Sequence, residues 1–126
     1  METVIIVLFV DVGYTVSMAD EKIFHKILAR QIPAQFVYED EDVVVFYDIH
    51  PKAPTHLLFV PKVFVASVSE TTEDNEYLPG MLILKARDFA KEKGIPGYKL
   101  TFHVGKEGGQ EVPYLHLHFL AQKELV

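Results

Sequence analysis

Residues 105–122 read "GKEGGQEVPYLHLHFLAQ": a glycine-rich loop runs directly into an alternating segment in which Tyr114, His116 and His118 occupy every second position. In an extended strand, residues two apart project from the same side at a spacing of about 6.5 to 7 Å. Tyr114, His116 and His118 are therefore expected on one face, with Leu115, Leu117 and Phe119 turned to a core. Such a strand is either half-buried with histidines on its wet face or a catalytic face, and the loop before it favours the second reading. Gly105, Gly108 and Gly109 allow successive backbone N–H groups to curl toward one point, an arrangement that suits an anion without any side-chain charge. An anion cradle beside two imidazoles is the minimum equipment for nucleophilic attack at phosphorus. A His-x-His pair also suits a metal, but catalytic zinc usually takes three protein ligands. Only His56 and His103 are plausible additions, so no metal and no cofactor are expected.

Working outward, the 126 residues make one domain by length, able to bury roughly two-thirds of the unfolded surface. The net charge of −6 and the scattered lysines, with arginine only at positions 30 and 87, exclude the clustered basic face that a nucleic-acid groove needs. Any bound phosphate must be held largely by backbone amides and imidazoles. Cysteine is absent, so neither a disulfide nor a thiolate zinc site contributes, which suits a cytoplasmic location. The apolar run Val4 to Val10 is too short to cross a bilayer, which takes about 20 residues. Glu2 and Asp11 are also wrong for a secretory signal. Residues 1–17 read as an apolar extension, an added edge strand or a cover for a groove, ahead of a single domain over 18–126.

The remaining pattern alternates strands and helices. Asp20 is placed to cap a short helix whose Ile23, Phe24, Ile27 and Leu28 share a face and which Pro33 stops. Phe36 to Glu39 and Val43 to Asp48 form a hairpin about the acidic turn 40–42. His56 to Val60 resumes as a strand after the proline-rich loop. A long helix spans about Tyr77 to Lys93, with Pro79 in its first turn and Gly94 just past its end. Tyr98 to Val104 and Tyr114 to Ala121 are the last strands. Strands, helix and strands again make an α+β layout.

On "IFHKILARQIPAQFVYEDEDVVVFYDIHPKAPTHLLFVPK" (23–62) and "GGQEVPYLHLHFL" (108–120), the chain resembles the histidine triad (HIT) family, particularly its small nucleoside phosphoramidases. The resemblance covers roughly residues 21–122. It implies a five-stranded antiparallel sheet with two helices, usually in a homodimer that joins two sheets into one. It implies hydrolysis at the α-phosphorus of a purine nucleotide (AMP- or GMP-containing) through a nucleotidyl-histidine, with His116 as nucleophile. His118 would hydrogen-bond the phosphate or leaving group, and His56 would orient the cluster. The backbone around Gly109, Gln110 and Glu111 would hold the α-phosphate, Asp48 the ribose hydroxyls. Ile23, Phe24, Ile27, Ile49 and Leu58 would wall the base pocket, although ordinary core packing is an equal account of such residues. Neither nucleic acid nor membrane is an expected partner.

The chain departs from the family at five positions. Tyr114 stands where the leading triad histidine belongs; its carbonyl can still fix the nucleophile's tautomer, but its phenol only partly replaces an imidazole at the substrate. His103 replaces a phosphate-contacting asparagine, and Glu111 a frequent serine. His25 and Phe64 replace residues some relatives use for zinc. These changes keep open an alternative in which the protein is a purine-nucleotide-binding dimeric regulator with vestigial catalysis.

Overall fold

The computed structural model describes residues 5–9, 14–17 and 21–125. Its main body is one antiparallel five-stranded sheet in the order β3-β4-β5-β7-β6. The strands are β3 (Phe36–Glu39), β4 (Val43–Tyr47), β5 (Thr55–Pro61), β6 (Lys99–Thr101) and β7 (Leu117–Ala121), with helices α1 (Ile23–Leu28) and α2 (Leu78–Glu92). The two helices cover opposite faces. For that reason the central strands are apolar along their length rather than alternating: β5 is buried throughout and β4 at all but its last residue.

On one face, Leu78, Leu82, Ala86, Phe89 and Ala90 of α2 meet Val43, Val45, Leu57, Phe59, Leu117 and Phe119 in a single core. The opposite registers, Val44, Phe46, Leu58 and Val60, pack with Ile23, Phe24 and Ile27 of α1. Because side chains alternate, this second face also receives His56 and His118, which pair across to Leu120 and Leu58. α1 is short and covers only part of the face, and the site occupies the remainder.

Local chemistry explains the element ends. The β3–β4 turn is organised by Asp40, whose Oδ1 accepts the N–H groups of Asp42 and Val43 at 2.8 and 2.9 Å. Burial works against the Asp40 carboxylate, but hydrogen bonds from Lys85, Tyr38 and these two amides outweigh it and hold its pKa well below the usual carboxylate range. α2 has Pro79 in its first turn. It ends with Gly94 at φ +68°, the Gly94 N–H reaching the Lys91 carbonyl and the Ile95 N–H the Ala90 carbonyl, a Schellman closure.

Several expectations change. α1 stops before Pro33: Arg30 adopts φ +61°, and the N–H groups of Arg30 and Gln31 return to the carbonyls of Ile27 and Lys26. This is the same closure built without glycine. Asp20, the expected cap, lies outside the described residues. β6 and β7 are shorter than the alternation suggested, and β7 begins at Leu117 rather than Tyr114. The Tyr114 N–H folds back to the Val112 carbonyl at 2.8 Å and the Leu115 N–H pairs with the Val65 carbonyl, so residues 114–116 lie outside the ladder. In the extension, β1 (Ile5–Phe9) and β2 (Tyr14–Ser17) pair with each other as a separate two-stranded sheet, not as an edge of the main one. Among the described residues, no helix is long and apolar enough to cross a membrane.

Candidate active site

A cavity of about 520 Å³ opens beside α1 over the second face of the sheet. Its apolar end is made by Ile23, Phe24, Ile27, Phe46 and Leu58, its polar end by Asp48, His56, His103, His116 and His118. Ile49, Gly109 and Glu111 also line it. The fold thus gathers residues from α1, the β4–β5 connection, β5, β6, the glycine loop and β7, which no local sequence window contains.

The hydrogen bonds among the histidines determine where each proton sits. The backbone N–H of Lys52 donates to His56 Nδ1 at 3.0 Å. A neutral His56 must then carry its proton on Nε2, which lies 3.0 Å from His118 Nδ1 and 3.4 Å from Asp48 Oδ2. His118 Nδ1 is the acceptor of that bond, so the His118 proton is on Nε2, a buried atom with no partner among the described residues. His116 Nδ1 is 2.7 Å from the Tyr114 carbonyl oxygen, which can only accept, so this nitrogen carries the proton. His116 Nε2 is left with its lone pair. The outcome is one nucleophilic nitrogen and one unused N–H donor on adjacent rings whose centroids are 5.0 Å apart.

Burial keeps all three rings neutral. It pushes the His116 pKa below the usual histidine value, the hydrogen bond to Tyr114 and the charge of Asp48 opposing it only in part. His118 is pushed down to about 3 by burial first, then by the neighbouring His116, His103 and His56. His56 is lowered by burial against the pull of Asp48. A neutral imidazole is the nucleophilic form, so these shifts suit His116 for attack.

Asp48 is placed by its own turn: its Oδ1 accepts the His50 N–H at 2.8 Å, and its N–H donates to the His56 carbonyl. Asp48, His56 and His118 bring three ligand atoms within 4.8 Å of one another, near enough for a metal ion. The proton positions argue against His56 as a ligand, however. Its Nδ1 lone pair holds the Lys52 amide, so its Nε2 has a proton where a metal would need a lone pair.

Two expected substrate contacts lie elsewhere. The Tyr114 side chain is only 2% exposed and packs in the α1 core beside Phe24, His25 and Phe64. Its hydroxyl donates to the Pro61 carbonyl at 2.8 Å, and burial pushes its pKa up to about 12. Because residues 114–116 leave the strand, Tyr114 does not share the face of His118, and only its carbonyl serves the site. The Gln110 side chain is a brace: Oε1 accepts the Gly105 N–H at 2.9 Å, while Nε2 donates to the carbonyls of Ala66 and Val112 at 2.7 and 2.9 Å.

The glycine loop is also less open than a nest. The N–H groups of Gly108 and Gln110 bond the Gly105 carbonyl and that of Gly109 bonds the Lys106 carbonyl, closing a short 3-10 turn over Lys106–Gly108. Glycine is needed there for its backbone: Gly105 and Gly109 have φ of +72° and +89°. Thr101, Lys99, Lys52 and Leu120 line the cavity without having been singled out from the sequence. The alternation of "KLTFH" was the available signal for Lys99 and Thr101, since both share a face with His103.

Comparisons with known proteins agree with this geometry. Residues 29–125 match the HIT domain family. The chain is 40% identical over 110 residues to the purine nucleoside phosphoramidase of Escherichia coli K12, covering 86% of this chain and 92% of that one. It is 46% identical over 102 residues to protein HitA of Neisseria gonorrhoeae, covering 80% and 95%. Among solved structures, a HIT family hydrolase from Legionella pneumophila superposes with TM-score 0.74 at 39% identity, over 82% of this chain and 95% of that chain. A histidine triad protein from Clostridium difficile gives TM-score 0.75 at 39% identity, over 82% and 92%.

Proposed function

The chain belongs to the HIT family, in the branch of the phosphoramidase relatives, and from that premise we propose that it hydrolyses phosphoramidate, acyl-phosphate or phosphoanhydride bonds at the α-phosphorus of purine nucleotides. The carrying observation is the pair of adjacent neutral imidazoles, His116 with a free Nε2 lone pair and His118 with an unpartnered Nε2–H, facing one cavity. The base lies between α1 and Leu58, the ribose against Asp48, and the α-phosphate between His116, His118 and the Glu111 backbone N–H, since the Gly109 and Gln110 amides are bonded within the loop.

His116 Nε2 attacks phosphorus; its new P–N bond forms as the bond to the leaving atom breaks, and the electron pair of that bond goes to the leaving atom. His118 Nε2–H supplies the proton. An unoccupied His118 is a reluctant proton carrier, but a bound phosphate sets negative charge against it and raises its proton affinity, so a proton enters from solvent with the substrate and rests on Nδ1, the His56 Nε2–H turning from that atom to Asp48 Oδ2 at 3.4 Å. The positive charge on His116 is spread toward the Tyr114 carbonyl. Water then attacks the nucleotidyl-histidine, His118 accepts its proton, the P–Nε2 pair returns to His116, and the monophosphate leaves. No arginine is required, since alignment and amide or imidazole donors supply the stabilisation.

A cytoplasmic homodimer completes the proposal; Tyr77, Ile83 and Leu84, exposed on or beside α2, support an apolar contact between copies. Steady-state turnover of adenosine 5′-phosphoramidate tests the enzyme reading. Turnover by the native protein that His116→Ala lacks is expected. Nucleotide binding with no turnover in either protein would transfer the assignment to the regulatory alternative.

A further inference from the structure

Along β7, the pocket face carries His118 and then Leu120, which is flanked across the sheet by Lys99 on β6 and His56 on β5. Lys52 stands on the His56 side, its amide bound to the His56 ring. An in-line displacement sends the leaving atom to the side of phosphorus away from the nucleophile. His116 marks the attacking side and the unpartnered His118 Nε2–H the departing side. Whatever leaves must therefore pass over Leu120, between Lys52 and Lys99.

The cavity does not end there. Lys52, Lys99 and Leu120 also line a second groove, continued by Pro96, Tyr98 and Lys123. The groove has three lysines and no carboxylate among its lining residues, in a chain whose net charge is −6. Tyr98 is stacked flat on Phe119, with ring centroids 4.9 Å apart and an interplanar angle of 18°, which holds it on the α2 side of the sheet at the far end of the groove. Lys123 Nζ is anchored on the Gly94 carbonyl at 2.7 Å, and Lys99 has no ion-pair partner among the described residues.

Resting on the hydrolase reading, we infer that the leaving group of the natural substrate carries an anion, a carboxylate or phosphate within a few bonds of the leaving atom, seated in this lysine groove. A basic groove is not needed for the α-phosphate, which lies on the other side of His118. It selects among leaving groups, which the catalytic residues themselves do not.

The test uses His116→Ala protein, so that ligands survive, titrated by calorimetry at low salt. The probes are adenosine 5′-phosphoramidates whose nitrogen bears glycine, glycinamide or O-phosphoethanolamine. The glycine ligand should bind roughly five- to tenfold tighter than its neutral glycinamide isostere. Lys99→Ala and Lys123→Ala in the same background should close that gap. A phosphoethanolamine ligand tighter than the glycine one identifies the anion as a phosphate, the reverse order as a carboxylate. Equal affinity for glycine and glycinamide, or a gap untouched by the lysine substitutions, overturns the inference. The ratio of kcat/KM for the two amine ligands in the unsubstituted protein gives the same reading should His116→Ala fold poorly. Turnover of the unsubstituted phosphoramidate without anion preference refutes only the groove; anion-preferring binding without turnover refutes only the hydrolase.

Discussion

Acidification should destabilise the ligand-free protein through its buried histidines. For His118 the folded pKa is about 3, against about 6.5 for an unfolded histidine. Between those values the unfolded chain binds the proton and the folded chain does not, so stability is complete above pH 6.5 and declines as pH falls. Each pH unit in that window is equivalent to about 1.4 kcal/mol per histidine, so His118 alone removes about 2 to 3 kcal/mol between pH 6.5 and 4.5. His56 and His116, lowered by the same burial, steepen the decline. Asp40 has the opposite sign of shift, and its contribution is lost only below the unfolded value near 3.8. Glu39, lowered from 4.5 by Lys62 and Arg30, enters only at the foot of the window, so the decline from 6.5 to 4.5 belongs mainly to the histidines. Urea unfolding at half-unit pH steps, on the native protein and His118→Gln, measures this directly: the variant should show a pH dependence shallower by about 2 to 3 kcal/mol over the window. Parallel curves for the two proteins would refute a neutral, desolvated His118.

Two substitutions probe the supports of the site. Gln110→Ala removes three hydrogen bonds that hold the glycine loop, at a cost of about 2 to 3 kcal/mol. By thermal melt, Tm should fall by roughly 8 to 12 °C, with kcat/KM reduced as well; an unchanged Tm would show that the brace is idle. Tyr114→Phe deletes the hydroxyl bonded to the Pro61 carbonyl and should cost about 1 to 2 kcal/mol of stability. It should leave kcat within about twofold, because His116 is held by the Tyr114 backbone; a tenfold loss in kcat would place the phenol in the chemistry.

Much of this was legible in sequence. The acidic turn at 40–42, the span of α2 and the histidine pair ahead of an apolar strand end all carry their physical cause in local residue types. Three features did not. The αL residue that closes α1 is Arg30, and a positive φ at arginine has no compositional mark. The fold-back at Tyr114 breaks an alternation that reads as uninterrupted in letters, so a phenol counted on the substrate face belongs to the core. Gln110 matches the GGQ motif, yet its part is played by a side chain reaching Ala66, a residue 44 positions away. Such contacts are set by tertiary geometry, which also brings Lys99 and Lys52 to the two sides of Leu120.

The central claim is that His116 Nε2 becomes covalently bonded to the α-phosphorus. A single-turnover reaction with adenosine 5′-phosphoramidate, quenched without acid and mapped by mass spectrometry, tests it most directly. An adenylate on His116, absent from His116→Ala, is the predicted result. Product release with no adduct at any time point, or an adduct on His118, His103 or His56 instead, would contradict it.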